Sequence, residues 1–598
     1  MFFPRFPLFR FTRLFRHAAL SLLLAACAKQ PVQPPAAAAP EPAAAQVEGD
    51  APSAPTEVAA PAAAKADLPR QELTEAVLYE YLLAEIAGQR GALGLSAQAY
   101  ADLAKRTRDP RIARRATEVA VYARMPAAAI EAAKVWVEME PSSMQALQAL
   151  VSLLLNVKRH EETLPYLEKL LAAEGSNTGD GFLQLPRLLA SSQDKALTLK
   201  IVQQLARAYP MLAQGHFAVA QVALAAEQKD LALAEVRAAA SLQPDWELAV
   251  LFEAQLLQQQ SGALALQHLA VFLERHPKAK DVRMQYARVL VAERKYPEAS
   301  VQFQTLSKDF PNNVDVVFAV GVLSLQLQDY ALAEANFKRL LTLPYRDKNT
   351  VRLYLGQIAE ERKDYPQALR WFEEIASGEQ YLQAQMRYAL VLSKQGKLDA
   401  ARAHLREINA SGSQAQVQLL LTEAQILREA NQPREAFNLI ARALESMPDQ
   451  PELLYDYAML AEKLERMDLL ETNLKKLIGL QPDHAHAYNA LGYSLADRNQ
   501  RLPEALGLIE KALQLSPDDP FITDSMGWVL FRMGRHEKAL EFLRKAYSAR
   551  QDPEIAAHLG EVLWSAGERR EAEEIWHDAV KKTPGNDALN STIKRLRP

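Results

Sequence analysis

The sequence predicts an all-α solenoid of stacked antiparallel helix pairs, on three observations. Small residues recur at a spacing of twelve and then seven along much of the chain. Proline followed by aspartate or asparagine punctuates it at Pro311-Asn312, Pro448-Asp449, Pro482-Asp483 and Pro517-Asp518, where proline stops one helix and the Asp or Asn side chain is expected to cap the next. No strand pattern of comparable strength interrupts the helical periodicity. Composition agrees, since 49% hydrophobic, 24% charged and only 7% aromatic residues is normal for an alanine-rich helical protein.

Taken in order, residues 1–26 read as a signal peptide. Arg5, Arg10, Arg13 and Arg16 form a basic opening, and the apolar run from Ala18 to Ala26 is far too short to span a bilayer. Leu24-Ala25-Ala26-Cys27 resembles the bacterial lipobox, so cleavage is expected between Ala26 and Cys27, leaving a lipidated Cys27 as the first mature residue. The competing reading is a plain signal peptide with an incidental buried cysteine. An acyl chain contributes about 0.8 kcal/mol per buried methylene, and several chains together make anchoring durable. Ala28, where inner-membrane lipoproteins commonly carry aspartate, favours the outer membrane with the body facing the periplasm, although Lys29 could also influence sorting. Cys27 is the only cysteine, so neither disulfides nor thiol chemistry can support the body in an oxidising compartment.

Residues 27–69 are dominated by Ala and Pro and have too few large apolar side chains to build a core. They read as a disordered tether that reaches on the order of 125 Å if fully extended as polyproline. Residues 70–210 show helical periodicity with weak repeat signatures, and residues 211–598 carry clear ones. The last unit has Leu559-Gly560, Ala572, Trp576, Ala579 and Pro584. Before it come Gly527, Gly534, Ala539, Leu543 and Ala546, and then Tyr488, Leu491, Gly492, Ala505, Ala512 and Pro517. The spacing recurs at Ala424, Ala436 and Ala443, and at Ala220, Ala232 and Ala239. It is partly kept at Gly356, Ala368 and Phe372, at Gly321, Ala333 and Phe337, and at Ala287, Ala299 and Phe303. Small side chains let paired helices approach, and the third small residue gives the next unit room to dock. About eleven to thirteen units are expected, stable only by stacking on their neighbours.

The sequence offers no catalytic residue. It lacks a GxxxxGK[ST] loop, a GxSxG elbow and an HExxH helix, and His160-Glu161-Glu162 has no second histidine. Asp483-His484-Ala485-His486 has zinc-binding residue types, but residues two apart on a helix diverge, so a cap and surface are expected there instead of a metal. The aromatics Phe303, Phe337, Phe372 and Trp576 are expected in the core, and Gly175 to Gly181 as a loop between units. Arg106, Arg108, Arg111, Arg114 and Arg115 form a local basic cluster, more simply a solvated helix face than a site for an acidic partner or lipid headgroups. Removing residues 1–26 takes away four arginines and no acid, moving the net charge from -4 to -8, and nothing in this acidic balance argues for nucleic acid. Neither a cofactor nor a metal is expected.

The repeat pattern is similar to the tetratricopeptide repeat, whose first helices line a groove that holds peptides, helices or domains of other proteins. Anchor, tether and an all-repeat body together resemble the LbcA-like lipoprotein adaptors of periplasmic carboxyl-terminal processing proteases, over essentially the whole chain. The resemblance implies a non-enzymatic scaffold that binds a periplasmic serine protease of that class and promotes proteolysis of its peptidoglycan hydrolase substrates. The alternative is an outer-membrane scaffold for polysaccharide export or for a peptidoglycan synthase. A hydrolase hidden in residues 70–210 is the third reading.

Overall fold

The computed structural model describes residues 72–190 and 192–597. Ala26, Cys27, the signal segment and the tether lie outside the described residues. Among the described residues there are 31 α-helices, two single-turn 3-10 segments and no strand. Two compact units divide after Asp309.

The unit ending at Asp309 opens with eight helices, from Glu75–Gln89 to Lys195–Ala206. Three regular hairpins follow: Ala213–Ala225 with Lys229–Leu242, Glu247–Gln260 with Gly262–Arg275, and Lys280–Ala292 with Tyr296–Asp309. The second unit holds eight hairpins, from Val314–Gln326 with Tyr330–Thr342 to Pro553–Ser565 with Arg569–Lys582, and closes with the helix Asp587–Leu596. Eleven regular hairpins are thus present among the described residues, with eight helices before them and one after.

Burial separates the two helices of a hairpin. In Val314–Gln326 nine consecutive residues, Val316 to Ser324, are buried, whereas its mate Tyr330–Thr342 buries only Ala333, Asn336, Phe337 and Leu340. A helix buried all round has neighbours on every side, and one with a single stripe borders solvent. Each large side chain in such a stripe contributes about 1.5–3 kcal/mol when fully buried. Phe303, Phe337, Phe372 and Trp576 are all in the core.

The small-residue spacing has its cause here. A Cβ added at Gly356 would stand 2.3 Å from Phe372 Cε1, and one added at Gly560 would stand 2.0 Å from Trp576 Nε1. Glycine in the first helix is therefore the seat for the large residue of the second. Ala368 and Ala572, the next small positions, are fully buried.

Two local expectations need correction. The Pro-Asp and Pro-Asn pairs do not supply the helix caps; they form the turn, and the following residue is the N-cap, bonding through its side chain at three of the four sites and not at Gln450. Asn313 accepts hydrogen bonds from the N–H groups of Asp315 and Val316, Asp519 from those of Phe521 and Ile522, and His484 Nδ1, not Asp483, from Ala487 N–H at 3.1 Å. A proline ending one helix needs two turn residues before the chain can reverse, which moves the cap one position on. Gly175–Gly181 is also not a loop. Gly175–Asn177 is a 3-10 turn and Thr178–Leu188 is an α-helix with Gly181 buried in it. A Cβ at Gly181 would lie 3.0 Å from Leu171 Cδ2, so close helix packing offsets the poor helix propensity of glycine.

Candidate protein-binding site

In the second unit the first helices carry ionisable side chains that are largely buried and pair across hairpins. Glu360 accepts from Arg387 and Lys394, both at 2.7 Å, with Glu360 and Arg387 each 9% exposed. Glu423 takes Arg402 and Arg406, Asp456 takes Arg428, and Glu561 takes Arg595. Several partners lie about one repeat further along the chain, as in Glu334 with Arg362, Glu360 with Arg387, Arg428 with Asp456, and Asp524 with His558. These are rungs between neighbouring hairpins.

The richest polar cluster joins three consecutive first helices: Ala485–Asp497, Pro520–Arg532 and Pro553–Ser565. His558 sits at its centre. Its Nδ1 lies 2.8 Å from Asp524 Oδ2, its Nε2 lies 3.3 Å from the Tyr493 hydroxyl, and the Trp528 ring stacks on the imidazole at 4.3 Å between centroids. Burial pulls the histidine towards its neutral form, but the Asp524 carboxylate, with Asp497 and Glu561 further off, outweighs it and pushes the His558 pKa up to about 9. The imidazolium therefore donates to both partners at neutral pH. Four residues before Tyr493, on the same face, stands Asn489, fully buried with neither amide atom meeting a partner within the chain. Asp524 Oδ1 and Trp528 Nε1 are likewise buried without a partner. Almost all buried polar groups in proteins are satisfied, and each orphan costs about 1–3 kcal/mol. The three residues lie on two adjacent first helices and are closed off from the surface.

A second feature belongs to the first unit. An open cleft of about 470 Å³ is lined by Val121, Tyr122, Trp136, Gln145 and Ala149, with Arg114 and Glu118 at its edge. The Arg114 guanidinium lies 5.9 Å from the Trp136 ring centroid. The basic cluster around it is locally neutralised: Arg106 pairs with Glu80, Arg108 with Glu138, Arg111 with Asp109, and Arg114 and Arg115 with Glu118. It is a solvated, paired face.

Elsewhere, His486 Nε2 stands 4.0 Å from Asp519, and His484 is occupied as a cap. Among the described residues, no three His, Cys, Asp or Glu side chains gather as metal ligands, and no helix is long and apolar enough to cross a membrane. His160–Thr163 is a 3-10 turn, with Arg159 bonded to Glu162.

Family models described as "Tetratricopeptide repeat" match residues 284–350, 321–381, 471–520 and 525–553. A TPR repeat-containing protein of Pseudomonas aeruginosa is 35% identical over 524 residues, covering 88% of this chain and 88% of its own length. The chain belongs to the tetratricopeptide-repeat proteins. Human mitochondrial import receptor subunit TOM70 is 24% identical over 246 residues, covering 40% of this chain and 35% of the receptor subunit. Among solved structures, a thermophilic tetratricopeptide protein of Thermus thermophilus is similar over 30% of this chain and 97% of its own, at 26% identity and a TM-score of 0.28. A tetratricopeptide repeat protein of Parabacteroides merdae is similar over 42% and 99%, at 14% identity and a TM-score of 0.33. Tetratricopeptide repeats are a protein-interaction scaffold, and the open cleft beside Trp136 is an apolar surface that this one offers.

Repeat matching identifies the small and large core positions and misses the polar row. The available signal was a polar residue two places before the Leu-Gly or Met-Gly pair, Asn489 and Asp524, inside helices buried along most of their length.

Proposed function

We propose that this tetratricopeptide-repeat protein is a lipid-anchored adaptor of the outer membrane. It holds a periplasmic carboxyl-terminal processing protease together with peptidoglycan hydrolases and so promotes their proteolysis. The observation that carries the binding role is the repeat body itself, eleven regular hairpins among the described residues, since tetratricopeptide repeats are a protein-interaction scaffold. The protease class and the anchor rest on the Leu24–Cys27 lipobox, the Ala/Pro tether and the all-repeat body. Tethering supplies the mechanism without enzyme chemistry, because a partner and its substrate held on one scaffold meet at effective concentrations that reach the millimolar range.

The test is a cross-linked pull-down of the native protein from envelope extracts, read by mass spectrometry, with Cys27→Ser as the location control. Recovery of a processing protease with cell-wall hydrolases, lost or relocated in Cys27→Ser, is expected. Recovery of polysaccharide-export or synthase components without a protease would overturn the reading. A Cys27→Ser protein that still sediments with membranes would refute the anchor.

A further inference from the structure

The helix Glu75–Gln89, the first among the described residues, packs one side through Ala84 and Ala87 and leaves an apolar face that no described residue covers. Leu78, Tyr79, Leu82 and Ile86 are 42%, 67%, 47% and 46% exposed. At 100° per residue they fall within an arc of about 100°. Leu73, Tyr81 and Leu95 extend the patch at its edges. The closing helix Asp587–Leu596 is the contrast: its exposed positions are Asp587, Asn590, Lys594 and Arg595, all polar, as a solenoid end requires. Among the described residues the last helix turns a polar face outward and the first an apolar one.

We propose that this face is a self-association surface, on which the opening helices of two copies pack antiparallel about a two-fold axis through Leu82. That register sets Leu78 against Ile86 of the second copy, and Glu75 against its Gln89. Charge selects the antiparallel arrangement. Glu80 is engaged by Arg106 and Glu85 by Tyr100, so the charges flanking the patch sit at its ends, Glu72 and Glu75 at the start and Arg90 after the last turn. Antiparallel pairing brings opposite signs and opposite helix dipoles together, and parallel pairing would bring like charges together. Area is sufficient. With about 150–250 Å² available from an aromatic side chain and less from Leu or Ile, the exposed parts of these seven residues amount to on the order of 600 Å² per copy. The pair would then bury about 1,200 Å², at the lower end of the roughly 1,200–2,000 Å² of a specific interface. A lipid surface fits worse, because interfacial helices carry Lys and Arg beside their apolar face and this one carries Glu75, Glu80 and Glu85.

The test uses the full chain in a Cys27→Ser background, which removes its only thiol. Analytical ultracentrifugation should show a dimer at micromolar concentration, and Leu78→Glu with Leu82→Glu should weaken it by on the order of 100-fold or more. Circular dichroism should stay unchanged, because both side chains face solvent in the single copy. Leu82→Cys should cross-link to itself under mild oxidant, faster than Leu480→Cys, which is exposed elsewhere. A monomer throughout, a dimer that survives both glutamates, or equal cross-linking at the two cysteines would overturn the proposal. So would vesicle binding by the wild-type chain that the two glutamates abolish while no dimer forms. None of these outcomes depends on which proteins the adaptor recruits.

Discussion

Replacing Gly560 by alanine adds one methyl group where the hairpin has no room for it. The new Cβ would stand 2.0 Å from Trp576 Nε1, 2.4 Å from Cε2 and 2.7 Å from Cδ1. Ordinary contact begins at 3.4 Å, so the indole would have to withdraw by 1.4 Å. It has little freedom to do so, being 2% exposed with the Trp564 ring 5.7 Å away. Overpacking of this kind costs about 1–3 kcal/mol, and alanine returns about 0.5–1 kcal/mol in helix propensity, leaving a net loss of roughly 1 kcal/mol. A solenoid opens unit by unit, so the assay is local: amide exchange in Pro553–Ser565 and Arg569–Lys582 should quicken about 5-fold. Gly479→Ala and Gly507→Ala are the controls, since a Cβ there meets nothing within 4 Å inside a helix, and each should slow exchange around it. Exchange in Gly560→Ala within twofold of wild type would refute the close-approach account of the repeat.

Burial lifts the Glu462 pKa to about 7, more than Ser494 and Arg498 lower it. A raised carboxyl stabilises the fold below its unfolded value near 4.5 and loses that contribution as pH rises through 7; Glu462→Gln should therefore gain roughly 2–3 kcal/mol over wild type at pH 8 and little at pH 4.5, by urea titration. His558, raised to about 9, contributes stability that is complete below 6.5 and lost as pH climbs through 9. Asp524→Asn should lower its pKa in an NMR titration and remove that dependence. Arg387→Met should cost about 1–3 kcal/mol by leaving Glu360 with Lys394 alone, and Glu360→Leu with Arg387→Leu should recover most of it.

The hairpins were legible because their signature is a packing rule: a glycine or alanine in one helix is obligatory where Phe372 or Trp576 must seat. The caps were displaced by one because the sequence shows a Pro-Asp pair but not how many turn residues the reversal consumes. Gly175–Gly181 was misread because its glycines serve close packing against Leu171, a contact invisible to local propensity. The bare face of Glu75–Gln89 escaped notice for a related reason. An apolar stripe reads as core until one sees that no described helix precedes it. The polar row was obscured by the repeat itself, since pattern matching rewards small and large apolar positions and passes over Asn489 and Asp524.

The His558 contacts also bear on how the array would yield under tension. Rungs such as Glu360 with Arg387 join a hairpin to its immediate neighbour, so pulling on the chain ends should release hairpins singly. Each release frees about 34 residues, on the order of 120 Å of contour length. Tyr493 and His558 are 65 residues apart and bridge two hairpins at once, with Asp524 and Trp528 of the middle one clamped between them. Those three hairpins should part together, as one long step of roughly 350 Å among the short ones.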